Sequence, residues 1–119
     1  MDKLIYTGEG YKTVLVAGAW RVAFLRYNDR FAALTGWERH NETHECFILL
    51  AGKGTMYTRM VDGDAPVITE MQSNVIYDVL PGEWHHIVVS PDASVLIVEN
   101  ADTSAANSDK YAVDGGERV

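Results

Sequence analysis

From residue 52 onward, turn-forming clusters break the chain about every ten residues. They are Gly52-Lys53-Gly54, Asp62-Gly63-Asp64, Gln72-Ser73-Asn74, Pro81-Gly82 and Ser90-Pro91-Asp92. The intervening segments are too short for ordinary helices and rich in β-branched and aromatic residues, a pattern that fits strands. Strands are therefore predicted over residues 55–61, 67–71, 75–79, 84–89 and 94–99. The first half adds a short edge strand at 4–6, strands at 13–16 and 20–27, and a mixed run at 31–37. The apolar runs 46–50 and 95–98 have no polar face, so they are predicted as central strands buried between two sheets. Gly52-Lys53-Gly54 reads as a tight hairpin turn. The fold class is all-β, a sandwich or small barrel.

At 119 residues the chain has the length of one domain. Residues 1–100 carry the strand pattern, and 101–119 read as a polar C-terminal tail running over the surface. A net charge of −7 argues against nucleic acid or an anionic membrane as partner, because both require a basic face. No apolar run approaches the ~20 residues of a membrane helix, and the first residues lack a signal-peptide core. The single cysteine, Cys46, excludes an internal disulfide and fits a reducing compartment. A cytoplasmic protein is the expectation.

All four histidines fall in two short stretches. Residues 38–45 hold His40 and His44 with Glu38, Glu42 and Glu45, and Pro81-Gly82-Glu83-Trp84-His85-His86 holds the others. Strand residues i and i+2 share a face, so Glu38 and His40 point one way. Glu45, Phe47 and Leu49 form one face of the next strand, with His44, Cys46, Ile48 and Leu50 on the other. A bulge at Asn41–Thr43 would return Glu45 to the side of Glu38 and His40, where His85 could complete the group. Two imidazoles with one or two carboxylates suit a borderline divalent metal such as Fe(II), Mn(II), Ni(II) or Zn(II). His44 and His86 alternate away, although a one-residue slip would exchange His85 and His86. Cys46 reads as a small buried hydrophobe. Trp20, Trp37 and Trp84 read as core, with Trp84 also a candidate stacking residue at a pocket rim. Phe47, Leu49, Met56, Met60 and Tyr77 are candidates for pocket or core.

With these residues in place, the chain resembles a small single-domain cupin over roughly residues 20–100. The first cupin motif, G-x5-H-x-H-x(3,4)-E-x6-G, is matched in its second half by His40-x4-Glu45-x6-Gly52. Its first His falls on Glu38 and its leading Gly on Ala32. The second motif, G-x5-P-x-G-x2-H-x3-N, is matched at Gly82-x2-His85. There Asn74 takes the leading Gly, Leu80 the Pro and Val89 the final Asn. The resemblance implies a double-stranded β-helix, a jelly roll of two antiparallel sheets. It also implies a metal held by His40, Glu45 and His85, with Glu38 as an unusual fourth ligand or as a general base. The function implied is isomerase- or oxygenase-type chemistry on a small polar metabolite; the alternative is a metal-free module that binds or senses a small ligand. A homodimer paired through the N-terminal strands is implied as well, residues 4–16 being apolar without an evident partner.

Overall fold

Burial alternates with period two along the central strands, which gives each sheet one face turned inward. In Ser94–Asn100, Val95, Ile97 and Glu99 are buried while Leu96 and Val98 are half-buried. The computed structural model describes residues 1–113, and within them the strands form two five-stranded antiparallel sheets. In chain order the strands are β1 (Gly10–Ala17), β2 (Trp20–Arg26), β3 (Gly36–His40), β4 (Glu45–Ala51), β5 (Gly54–Arg59), β6 (Val67–Glu70), β7 (Tyr77–Val79), β8 (Trp84–Val89), β9 (Ser94–Asn100) and β10 (Ser108–Ala112). One sheet runs β1-β2-β9-β4-β7 and the other β10-β3-β8-β5-β6. The main core lies between them and includes Leu25, Phe47, Leu49, Met56, Ile87, Val95 and Ile97. No helix among the described residues is long and apolar enough to cross a membrane.

The predicted strands of the second half stand within two residues of those observed. The early part differs more. Residues 4–6 join no sheet, and 29–31 form a one-turn 3-10 helix ahead of β3. Runs 46–50 and 95–98 do lie in adjacent strands, β4 and β9, near the middle of their sheet. Only their inward faces are sealed, however, and Leu50 on the outer face is 49% exposed.

The turn at Gly52-Lys53-Gly54 is not a hairpin, because β4 and β5 lie in opposite sheets. It clasps another inter-sheet turn, at 90–93. Lys53 N–H donates to Ser90 Oγ at 2.8 Å, and Ser90 N–H donates to the Lys53 carbonyl at 2.9 Å. Gly52 has φ +72°, and a Cβ placed there would stand 2.6 Å from the Ala93 Cα. Gly63 also has positive φ, at +90°, but nothing lies within 4 Å of its Cβ position. Gly52→Ala should therefore cost more than the ~1 kcal/mol of left-handed backbone strain expected for Gly63→Ala. Urea unfolding of both variants checks this. Equal losses would show that the two turns are not crowded.

The C-terminal segment expected to run over the surface is part of the fold as far as Val113. Ser104 caps a one-turn helix at Ala105–Asn107, and β10 then pairs with β3. Val113 is buried with Leu34, Trp37 and Trp84 in a second cluster, on the outer side of the β3–β8 sheet. The segment's polarity concealed this, since an edge strand is held by backbone hydrogen bonds that require no apolar side chains. Residues 114–119, the rest of that expected tail, lie outside the described residues.

Candidate metal centre

Glu38 and His40 share the inward face of β3, and β8 places His85 directly opposite Glu38. Glu45, the first residue of β4, approaches from the other sheet. Its return to the group needs no bulge: the loop at 41–44 carries the chain across the barrel, so both strands face one interior. Single donor atoms of Glu38, His40, Glu45 and His85 all lie within 4.8 Å of one another. Glu45 Oε1 is 3.1 Å from His40 Nε2 and 3.0 Å from His85 Nε2. Glu38 Oε1 stands 3.6 Å from His40 Nε2 and is the most open of the four, with 30% of its side chain exposed.

The second ring nitrogen of each histidine is held in place. His40 Nδ1 lies 2.7 Å from Ser108 Oγ, and His85 Nδ1–H donates to the Glu83 carbonyl at 3.2 Å. Such contacts orient the rings and leave both Nε2 atoms turned to the carboxylates. Burial alone would raise the Glu45 carboxyl, but hydrogen bonds from His40 and His85 outweigh it and bring it down to about 2. Burial works against a charged His85, yet Glu45, Glu38 and the Glu83 carbonyl raise its pKa overall. The cluster thus favours a carboxylate beside cationic character, which a divalent ion would supply in place of protons.

The other candidates separate cleanly. His86 alternates out of the cluster, its Nε2–H donating to the Ala33 carbonyl at 2.9 Å, and burial lowers its pKa to about 4. His44 is exposed and meets Asp78 at 3.0 Å on the outer surface, and Glu42 is exposed too. Burial and Asp78 raise the Cys46 thiol, which leaves it a poor nucleophile. Trp84 is not at the rim: it faces outward, under the Arg39 guanidinium at 4.6 Å and against Tyr111. Phe47 meets the His85 ring edge-on at 5.9 Å and lines the cavity, while Leu49 and Met56 are core. Tyr77 packs on that core, and Met60 is 56% exposed.

A cavity of about 290 Å³ opens beside the cluster, with Leu25, Phe47 and Ile97 among its walls. It also contains a constellation that was not anticipated. Glu99 is the cross-strand partner of Glu45. Its Oε1 accepts from the Tyr11 hydroxyl at 2.6 Å and from Arg21 Nε at 3.0 Å. Burial and the nearby Glu45 raise the Glu99 carboxyl, against the pull of Tyr11 and Arg21, and burial with Glu99 pushes the Tyr11 hydroxyl up to about 12. The strand predicted over 94–99 assigned Glu99 no role, yet Val95, Ile97 and Glu99 share one parity. Extending that parity by one step places Glu99 inside.

No protein-family model matches the chain, and no curated protein matches it by sequence. Solved structures do match it in shape. The capsular polysaccharide assembling protein CapF from Staphylococcus aureus superposes with a TM-score of 0.62 at 19% identity, over 92% of this chain and 31% of CapF. KdgF from Halomonas sp. gives 0.60 at 12% identity, over 83% of this chain and 87% of that one. The QdtA 3,4-ketoisomerase from Thermoanaerobacterium thermosaccharolyticum, solved in complex with TDP, gives 0.63 at 18% identity over 75% of this chain and 64% of QdtA. The chain therefore spans about a third of CapF and just under two thirds of QdtA. The likeness is one of fold: this chain has the cupin-type double-stranded β-helix.

Proposed function

We propose that this cupin-fold chain holds a divalent metal through Glu38, His40, Glu45 and His85 and acts on a small polar metabolite in the adjoining cavity. The observation that carries the reading is the convergence of four donor side chains within 4.8 Å at the wall of a 290 Å³ cavity. The donor set fits such an ion, with two imidazole nitrogens oriented from behind and two carboxylates beside them. Replacing an imidazole by Glu38 makes the set richer in oxygen, which favours Mn(II) or Fe(II) over Ni(II) or Zn(II). Such an ion supplies Lewis acidity for an isomerisation, or activates oxygen for an oxidation.

The chain's own residues do the rest. Glu45 and the two histidines fix the polar end of the ligand, and Leu25, Phe47 and Ile97 exclude water from its flank. Glu38, the most open member, completes the donor set or takes a proton from the ligand at its carboxylate. The similarity to a ketoisomerase supports a small-molecule substrate. The second reading, a metal-free binding module, is favoured by one observation: a carboxylate stands where the resemblance implies the first imidazole ligand.

Incubation of Mn(II)- and Fe(II)-loaded protein with hydroxy-ketones and keto-acids tests the reading. In D2O, deuterium entering the carbon beside the carbonyl is expected for an isomerase, and oxygen consumption for an oxygenase. Ligand-induced thermal stabilisation with neither signal, and with no metal requirement, would leave the binding module. We further expect a homodimer, given exposed Leu4, Ile5, Leu15, Val16 and Trp20 at and near the N-terminal strand. Sedimentation equilibrium at micromolar concentration should return twice the chain mass. A monomer would contradict it.

A further inference from the structure

Beside the four-donor cluster, on the strand next to Glu45, sits a carboxylate that is fixed on one side only. The Glu99 side chain is 2% exposed, and its Oε1 is saturated by Tyr11 and Arg21. Its Oε2 makes no hydrogen bond among the described residues, although Glu99 lines the cavity. Glu99 is not one of the four residues whose donor atoms lie within 4.8 Å of one another. Its neighbour across the strands, Glu45, is one of them. Among the described residues, the sealed side-chain atoms without a partner are Asn28 Oδ1, Trp37 Nε1 and Arg59 Nε. Glu99 Oε2 is instead open to the cavity, where an occupant must hydrogen-bond it. A ligand occupying the cavity is placed to do so.

We propose that Glu99 is a specificity-determining residue of this cavity, its Oε2 accepting a hydrogen bond from a hydroxyl of a ligand whose neighbouring oxygen sits at the four-donor cluster. The ligand class is then a small hydroxy-acid or hydroxy-carbonyl compound, in which a hydroxyl lies close to the carboxylate or carbonyl oxygen. Tyr11 and Arg21 act as positioning residues. They arrive from β1 and β2, hold one carboxylate oxygen at 2.6 and 3.0 Å, and thereby aim the other. The proposal rests on the metal reading above, because the cluster must seat the first oxygen.

Glu99→Gln provides a selective test. The side-chain amide keeps the shape, and with Tyr11 and Arg21 still donating to its oxygen it presents NH2 where Oε2 stood. A charged acceptor becomes a neutral donor, which a ligand hydroxyl can meet only through its oxygen and more weakly. The probes are glycolate and 3-hydroxypropionate, each compared with its deoxy counterpart, acetate or propionate. Binding to Mn(II)-loaded protein is followed by water-proton relaxation, and Mn(II) affinity is measured on the same samples. The hydroxyl preference, taken as the affinity ratio within a pair, should fall roughly tenfold or more in Glu99→Gln for at least one pair. Using the ratio removes any common effect on the metal or on the fold. Tyr11→Phe, a change at the cavity mouth, should lower the same ratio by a smaller factor, and it serves as the readout if Glu99→Gln does not fold. Mn(II) binding with an unchanged ratio in both pairs, including no preference in the parent, overturns the role of Glu99 alone. Absence of Mn(II) binding in the parent overturns the metal reading together with it.

Discussion

Glu45→Gln is expected to weaken divalent-metal binding by at least a hundredfold, measured by Mn(II) titration with electron paramagnetic resonance. Glu45 is the hub of the cluster, since a single oxygen faces both imidazoles at 3.1 and 3.0 Å. Its carboxyl is 5% exposed as a residue and is held down to about 2 by those rings once they outweigh burial. The amide removes the negative charge and turns a donor group towards imidazole nitrogens that a metal would need free. A hundredfold loss is about 2.7 kcal/mol, within the range of losing one charge-assisted contact with its geometry. Glu38→Gln should cost less, because Glu38 stands farther off at 3.6 Å and is partly open to solvent. Equal losses in the two variants would show that Glu38 is a full ligand rather than the adaptable member.

Trp37→Ala should be the most destabilising of the tryptophan truncations, at about 3–5 kcal/mol by urea unfolding. Trp37 is 1% exposed and packs with Leu34, Trp84 and Val113 on the outer side of its sheet. The guanidinium of Arg59, itself 5% exposed, lies 4.1 Å from the centre of its ring. Removing the ring therefore opens a large cavity and also strips a buried cation of its aromatic partner. Trp20, 46% exposed at the start of β2, provides the contrast, and Trp20→Ala should cost less than about 1 kcal/mol. A small loss for Trp37→Ala would mean that this outer cluster adds little to stability, and that the β10 segment is only loosely attached.

Local chemistry made some features legible in the sequence. Strand parity, an assumed bulge and the motif spacing together singled out Glu38, His40, Glu45 and His85, while leaving His85 and His86 exchangeable by a one-residue slip. The fold brings donor atoms of those four together and turns His44 and His86 to other partners. Asn74 was read as a stand-in for glycine, and its φ of 66° is the only positive value at a non-glycine residue among those described. Features depending on partners distant in the chain were not legible. Tyr11 and Arg21 reach Glu99 across 88 and 78 residues, so no local pattern announces them. Strand β10 is polar, and its pairing with β3 is a backbone event that composition does not encode. The turn at Gly52 carried correct hairpin chemistry, but the same positive φ serves equally well for a crossing between sheets.

The central claim is that Glu38, His40, Glu45 and His85 bind a divalent ion. Elemental analysis of protein purified without added metal or chelator tests it most directly, with His40→Ala and His85→Ala prepared in parallel. About one equivalent of Mn, Fe, Ni or Zn in the parent, lost in both variants, is the predicted result. Metal-free parent protein that also gains no thermal stability on adding any of these ions would contradict it.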